Sequence, residues 1–460
     1  MASEFAGRTC WVVGLARSGC AAGGLLRRQG ARVLGIDDAD SATVRRRWER
    51  EGLSRLAPGA FDEVLTGGDW PDAGAPAARP ALVVVSPGVP TDHPRLAALP
   101  VDVPLVGELE LASRFTRARL VAITGTNGKT TTTELVAHLV RAAGLDGRAL
   151  GNVGRPLADV AEELSADAVA VIETSSFQLE TMRTFAPEVG AVLNLAPDHL
   201  DRYPDLAAYY AAKRILAARI PAGGTFVTGA GCREARSWPT AGRRLLFGER
   251  AEGADVHYRD GFLVLGEEAL LPLADLAQQS PPNLQNALAA AAIGTALSLP
   301  REALAAGLAD FPGLPDRHEW VATRGGVKFI NDTKATNVHA VCAGLDGFAG
   351  EVVLIAGGSG KGEDYAPLRD VLGAVRHVVL IGAEGPAIGA ALAGAVPTTA
   401  ARDMAAAVAL AADLATGPDG ADAAVLLSPA CASFDMFANY RERGRAFTAA
   451  ALAAGAVPRG

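Results

Sequence analysis

Short apolar runs that end in polar or glycine-rich turns recur along this chain and alternate with stretches of helical period. Thr9–Val13 leads into Gly14-Leu15-Ala16-Arg17-Ser18-Gly19, a predicted helix over Cys20–Gln29, and a second strand, Arg32–Ile36, that stops at Asp37-Asp38. Ala81–Val85 is wholly apolar and stops at Ser86-Pro87-Gly88. Leu120–Thr124 precedes a glycine turn and a helix with Leu135, Val136, Leu139 and Val140 on one face. Ala168–Ile172 and Gly190–Leu195 read as strands, residues 223–273 as short strands and turns, and Asn283–Ser298 as an alanine-rich helix. After the linker-like Phe311-Pro312-Gly313-Leu314-Pro315, strands at Val327–Ile330, Val352–Ala356, His377–Ile381 and Ala424–Leu427 alternate with helical runs. Such alternation predicts parallel sheets covered by helices. The expected fold is α/β, with three successive domains over 1–106, 107–313 and 314–460. The first and third are expected to be Rossmann-like, and the central one a P-loop-type ATPase domain with a mainly parallel sheet.

Composition fits this division. The chain has 460 residues, 49% hydrophobic and 20% charged, enough for three packed cores at about 150 residues each. The formal charge of −8 argues against a broad nucleic-acid or anionic-membrane surface. Long uncharged stretches such as Ser280–Pro300 and Gly385–Ala401 are broken by Pro, Gly, Asn or Thr, and the N-terminus lacks the pattern of a secretion signal. Scattered Cys10, Cys20, Cys232, Cys342 and Cys431 suit a reducing compartment, so a cytoplasmic protein is expected. Lysine is rare among the 43 basic residues: only Lys129, Lys213, Lys328, Lys334 and Lys361. A compact ammonium can be desolvated or modified where a planar guanidinium cannot replace it. The retained lysines therefore mark candidate chemistry.

Gly125-Thr126-Asn127-Gly128-Lys129-Thr130-Thr131, between a strand and a helix, is a short phosphate loop. Its amides cradle phosphates, Lys129 reaches the outer ones, and the Thr130 hydroxyl suits Mg²⁺. Glu173 ends the next predicted strand, where a carboxylate holds Mg²⁺ directly or through water; it also sits where a helix cap would. His199, in Asp198-His199-Leu200-Asp201, is a second metal candidate, while the other six histidines read as structural. Lys213 lies in a predicted helix, Leu206–Arg219, and is followed by Arg214, so its amine is a candidate for chemistry of its own. Three strand ends of the third segment carry Asn331-Asp332-Thr333-Lys334-Ala335-Thr336-Asn337, Gly357-Gly358-Ser359-Gly360-Lys361-Gly362 and Ser428-Pro429-Ala430-Cys431-Ala432-Ser433-Phe434-Asp435. Polar turns at the ends of one sheet point to one crevice for an anionic ligand.

In this order the motifs resemble those of the Mur ligase family, ATP-dependent amino-acid-adding enzymes of peptidoglycan synthesis, over essentially the whole chain. The resemblance implies ATP on the Gly125–Thr131 loop, with Asn286, Arg317, Asp332 and Lys334 completing the nucleotide site. It implies two Mg²⁺, with Thr130, Glu173, His199 and a carbamylated Lys213 as metal residues, and Lys129, Glu173, His199 and Lys213 as catalytic ones. The first and third of the C-terminal motifs look like those of the members that add D-glutamate to UDP-N-acetylmuramoyl-L-alanine. On that basis residues 1–106 bind the UDP substrate through Gly14, Leu15, Ala16, Ser18, Gly19, Asp37, Ser86, Pro87 and Gly88. Asn152, Ser175 and His199 meet the muramyl part. Thr336, Lys361, Ser433, Phe434 and Tyr440 meet D-glutamate. A cytoplasmic monomer without nucleic-acid or membrane partners is the implied context. Members adding other amino acids, a folylpolyglutamate synthase-like enzyme and a P-loop nucleotide switch are the alternatives. A nicotinamide dehydrogenase fits less well, because Gly14–Gly19 lacks the middle glycine of G-x-G-x-x-G.

Overall fold

The structure, a computed structural model, describes residues 4–75, 78–200, 202–248, 253–360, 362–416 and 424–459. Three sheets carry it. The first consists of Thr9–Val13 (β1), Arg32–Asp37 (β2), Glu63–Thr66 (β3), Leu82–Val85 (β4) and Leu105–Gly107 (β5), all parallel, in the order β3-β2-β1-β4-β5. The order reverses at β1, so a crevice opens between the carboxyl ends of β1 and β4. Gly14 and Ser86 stand at those ends.

The second sheet has nine strands. Arg119–Thr124 (β6), Gly147–Gly151 (β7), Val169–Glu173 (β8), Val189–Val192 (β9), Thr225–Gly229 (β10), Arg243–Gly248 (β11) and Val256–Arg259 (β12) run parallel. Phe262–Leu265 (β13) and Glu268–Pro272 (β14) finish one side of it with antiparallel pairings, β14 at the edge. Strand β6 lies between β8 and β9, which sets the phosphate loop inside the sheet rather than at its edge. Both sheets belong to one compact unit, Met1–Leu195, His199–Pro272 and Ala287–Leu308. They share one apolar core, to which Val12, Leu25, Leu109, Leu157, Ala170, Ile172 and Leu216 all contribute.

A second unit comprises Ala196–Asp198, Leu273–Asn286 and Ala309–Gly460. Its sheet runs Thr398–Ala400 (β19), Val375–Ile381 (β18), Val352–Gly357 (β17), Ala424–Leu427 (β20), Val327–Asn331 (β16), Glu319–Arg324 (β15) and Val457–Pro458 (β21). The first five are parallel and the last two antiparallel. Apolar cores lie on both faces, one around Phe329, Val425 and Phe447, the other around Val341, Leu354 and Leu426. A strand buried on both faces reads as a continuous apolar run, which is why Val352–Gly357 and Ala424–Leu427 are legible in the sequence.

Element ends differ from expectation where side chains are recruited elsewhere. The strand expected over Gly190–Leu195 ends at Val192, because Asn194 bends to the phosphate loop. The first helix spans Arg17–Arg28 rather than Cys20–Gln29. Gly19 makes the early start possible: a Cβ there would stand 2.1 Å from the Gly14 carbonyl oxygen. The alanine-rich helix spans Pro281–Ala296, two residues earlier than expected, with prolines in its first turn, where their missing N–H costs nothing.

One acid in the shared core carries a pH dependence. Glu108 is buried, its Oε1 accepts from the Ala158 amide at 2.6 Å, and burial pushes its carboxyl from 4.5 up to about 7. A raised carboxyl pKa means the folded state holds the proton longer. The stability it contributes is full below pH ~4.5 and is lost as pH rises through ~7. Glu108→Gln is therefore expected to flatten the fall in melting temperature between about pH 5 and 7. A parallel fall in parent and variant would contradict this.

Candidate active site

The phosphate loop is built by backbone geometry and one asparagine. Gly125 and Gly128 have φ of 153° and 82°, a region that favours glycine. A Cβ on Gly125 would also stand 3.1 Å from the Leu193 Cβ. Asn194 Oδ1 accepts from the amides of Thr126 and Asn127 (3.1 and 2.9 Å), and its Nδ2 donates to the Asn127 carbonyl at 3.1 Å. Sequence reasoning missed Asn194, since nothing in Asn194-Leu195 distinguishes it from an ordinary strand end. Lys129 and Thr130 open the helix Lys129–Ala142, with Thr131 buried behind them.

Two lysines meet on one carbonyl. Lys129 Nζ donates to the oxygens of Gly125 (3.0 Å) and Thr126 (2.8 Å). Lys213 Nζ donates to the same Gly125 oxygen at 3.0 Å and reaches Thr124 Oγ1 at 3.4 Å. Lys213 is 1% exposed, and its ammonium lies 4.7 Å from the centre of the Tyr209 ring. The helix Leu206–Arg219 spans the expected residues and turns this lysine inward. His199 packs edge-on against Phe177 and Tyr209, ring centres 5.1 and 5.9 Å apart, so Tyr209 meets both Lys213 and His199. His199 has φ of 54°, in the left-handed region that few non-glycine residues adopt but that histidine tolerates better than most. The turn that holds it has Arg202 and Tyr203 amides on the His199 carbonyl and the Tyr203 hydroxyl on Glu180 Oε1 at 2.5 Å.

Glu173 is the last residue of β8 and lies opposite Ile123, one residue before Thr124. It is 2% exposed. Asn152 Nδ2 donates to its Oε1 at 3.0 Å, while its buried Oε2 has no hydrogen-bond partner among the described residues. An unpaired buried carboxylate oxygen is costly in apolar surroundings and suits a divalent cation. Among the described residues no group of three or more His, Cys, Asp or Glu is assembled. Ser175 caps the short helix Ser176–Leu179 in a reciprocal box with Gln178, so its hydroxyl serves the fold.

The residues expected to hold the UDP part come together at the first sheet's crevice. Gly14, Ala16, Ser18, Asp37, Ser86, Pro87 and Gly88 line a cavity of about 520 Å³, and Asn152, expected to meet the muramyl part, lines it too. Leu15 is buried and Gly19 lies inside the first helix; neither lines the cavity. Gly14 has φ of 85°, and a Cβ there would stand 2.8 Å from Val89. Ser86 Oγ donates to the Gly14 carbonyl at 2.6 Å.

In the second unit the first and third C-terminal motifs are tied together. Ser428 Oγ donates to Asp332 Oδ2 at 2.9 Å, and the Ala430 amide donates to Ala335 O. Burial raises the Asp332 carboxyl, opposed by nearby His318 and Arg317. His318 Nε2 lies 3.4 Å from Asp332 Oδ2, a contact its sequence surroundings did not signal. Lys334 Nζ sits 4.2 Å from the centre of the Tyr440 ring, and Thr333 Oγ1 donates to the Tyr440 carbonyl. The second motif joins through a bridge between Ser359 and Ala432. Thr336 is half-buried, Ser433 buried, and Phe434 75% exposed. Asn286 Nδ2 donates to Asn283 Oδ1 at 3.3 Å. Lys361 lies outside the described residues.

The residue that joins these loops was not foreseen. Arg443 is 1% exposed and donates to Thr333 Oγ1 and O and to the carbonyls of Cys431 and Ala432, all within 2.9–3.1 Å. Burial pulls its guanidinium down to about 10, so it remains charged at neutral pH. In the sequence it lies in Arg441-Glu442-Arg443-Gly444-Arg445, which reads as a solvated face. Arg443→Met should leave these acceptors unpaired, each costing about 1–3 kcal/mol. An earlier thermal unfolding transition is expected; an unchanged transition would contradict the role.

Comparison with known proteins follows the same lines. Residues 123–294 match the Mur ligase middle domain. The UDP-N-acetylmuramate-alanine ligase of Thermotoga maritima shares the fold, with a TM-score of 0.56, 17% identity and coverage of 97% of this chain and 99% of that one. A pseudomurein peptide ligase type C from Methanothermus fervidus gives 0.55 at 17% identity, covering 91% and 96%. The chain belongs to the Mur ligase family. The particular relatives it falls among are UDP-N-acetylmuramoylalanine–D-glutamate ligases. That of Acidobacterium capsulatum is 38% identical over 461 residues (98% of this chain, 97% of the relative). Those of Anaeromyxobacter dehalogenans and Nitrosococcus oceani are 42% identical over 470 residues (97%, 98%) and 40% over 450 (95%, 95%). Among the described residues no helix is long and apolar enough to cross a membrane.

Proposed function

We propose that this chain is an ATP-dependent ligase that joins D-glutamate to UDP-N-acetylmuramoyl-L-alanine, releasing ADP and phosphate, in peptidoglycan precursor synthesis. The structural observation that carries the reading is the pairing of the phosphate loop with Glu173. Two ammonium groups converge on Gly125, and a buried carboxylate oxygen without a hydrogen bond stands on the adjacent strand. Phosphates and a divalent cation suit that arrangement. The three-domain division at 106/107 and 313/314, with UDP, ATP and amino-acid roles in that order, is part of the proposal, as is a cytoplasmic monomer.

In the reaction, a carboxylate oxygen of the L-alanyl group attacks the γ-phosphorus of ATP, and ADP leaves. The D-glutamate amine then attacks the acyl carbon of the acyl phosphate. An amide bond forms, phosphate departs, and the amine loses a proton to a base in the site. Phosphoryl transfer depends chiefly on positioning and charge. Lys129 turns from the loop carbonyls to the outer phosphates. The loop amides, held by Asn194, bind the phosphate oxygens. Mg²⁺, when bound at Glu173, His199 and Thr130, supplies charge neutralisation. Lys213 is proposed to lose one proton to become the free amine, add CO₂ at Nζ and release a second proton, becoming a carbamate that would serve a second Mg²⁺. Asn286, Arg317, Asp332 and Lys334 are assigned to the rest of the nucleotide. Asn152 is assigned to the muramyl substrate, and Thr336, Lys361, Ser433, Phe434 and Tyr440 to D-glutamate.

Labelling tests the acyl phosphate. With ¹⁸O in the L-alanyl carboxylate, one labelled oxygen should appear in the released phosphate. Unlabelled phosphate accompanying amide formation would overturn this route.

A further inference from the structure

Asp37 was expected to touch the uridine part of the substrate, yet its carboxylate is engaged within the fold. Oδ2 accepts from the Leu15 amide (2.9 Å) and Arg47 Nη1 (2.6 Å), and Oδ1 from the Ala39 amide (3.0 Å). It organises the glycine turn. The neighbouring Asp38 instead holds two rings. Its Oδ1 accepts from Trp70 Nε1 at 2.7 Å, and its Oδ2 lies 3.0 Å from His93 Nε2. The two rings are stacked, centres 5.4 Å apart and planes within 11°. His93 Nδ1 accepts from the Arg95 amide at 3.3 Å, which assigns the ring proton to Nε2, on the Asp38 side.

His93 is thus fixed at both nitrogens and backed by an indole. His93 and Asp38 line the cavity of about 520 Å³ that Gly14, Ser18 and Ser86 also line; Trp70 does not line it. We propose that His93, backed by Trp70 and oriented by Asp38, is the stacking platform for the pyrimidine ring of the UDP moiety. The inference rests on the uridine-substrate reading above and assigns its base. The glycine turn at the start of the first helix accounts for the diphosphate. In sheets of this topology the nucleoside lies past the end of the second strand, where Asp38 stands. A planar ring held in advance loses little freedom when a base stacks on it.

Calorimetric titration with UDP tests the assignment on the full chain. Stacking on an aromatic ring contributes about 1–3 kcal/mol per base, so His93→Ala should weaken UDP binding about tenfold or more. His93→Phe, which keeps a ring but neither hydrogen bond, should stay within about threefold of the parent. ATP affinity should be unchanged in both. If His93→Ala binds UDP as the parent does, the platform is overturned while the uridine reading stands. If His93→Phe is as weak as His93→Ala, the ring face is not what binds, and the platform is likewise overturned. A parent chain that does not bind UDP overturns the uridine reading and the platform together.

Discussion

Lys213→Ala is expected to lower D-glutamate-dependent turnover by about 10²–10³-fold or more, the cost of deleting one preorganised electrostatic partner. Lys213→Arg should be no better. The side chain is 1% exposed, with its ammonium on the Gly125 carbonyl and the Tyr209 ring. A guanidinium is wider than an ammonium and does not form a carbamate with CO₂. Gly125 O keeps a donor in the alanine variant, because Lys129 Nζ also reaches it. Folding should therefore survive, and ADP binding should persist. Partial rescue of Lys213→Ala by a short carboxylic acid would mark the carbamate's role. Full activity in Lys213→Arg would remove any special chemistry from this position.

Glu173→Gln should have an effect of similar size with a different signature. The amide oxygen of Gln can still accept from Asn152 Nδ2, so the contact seen at 3.0 Å is preserved while the charge is lost. Turnover should fall about 10²–10³-fold, and the Mg²⁺ concentration for half-maximal rate should rise at least about tenfold. Loss of rate at an unchanged Mg²⁺ requirement would contradict a metal-ligand role for Glu173.

The parts of this protein legible in its sequence are those in which function and local pattern coincide. Gly125–Thr131 needs its glycines for backbone geometry, and β6 and the helix Lys129–Ala142 bracket it as the pattern implied. Lys213 stands out because arginine has displaced lysine at nearly every other basic position. Strands β17 and β20 of the second unit announce themselves by apolar runs buried on both faces. What stayed hidden depends on contacts distant in sequence. Asn194 serves a loop 67–68 residues away, and Arg443 clasps Thr333 across 110 residues. Asp38 gathers Trp70 and His93 from separate loops. Asparagine, arginine and histidine are common on surfaces, so their types alone give no signal. The edge strands Glu63–Thr66 and Gly147–Gly151 were missed for a related reason: they are short, and neither shows a clean alternation of buried and exposed residues.

The most direct test of the central claim is phosphate release from ATP and Mg²⁺ with UDP-N-acetylmuramoyl-L-alanine, offering one amino acid at a time. D-Glutamate, L-glutamate, L-alanine, L-lysine and meso-diaminopimelate form the set. Release with D-glutamate alone is the predicted result. Release with another of these amino acids would contradict the assignment of the Asn331–Asn337 and Ser428–Asp435 loops, and release without any amino acid would contradict ligation itself.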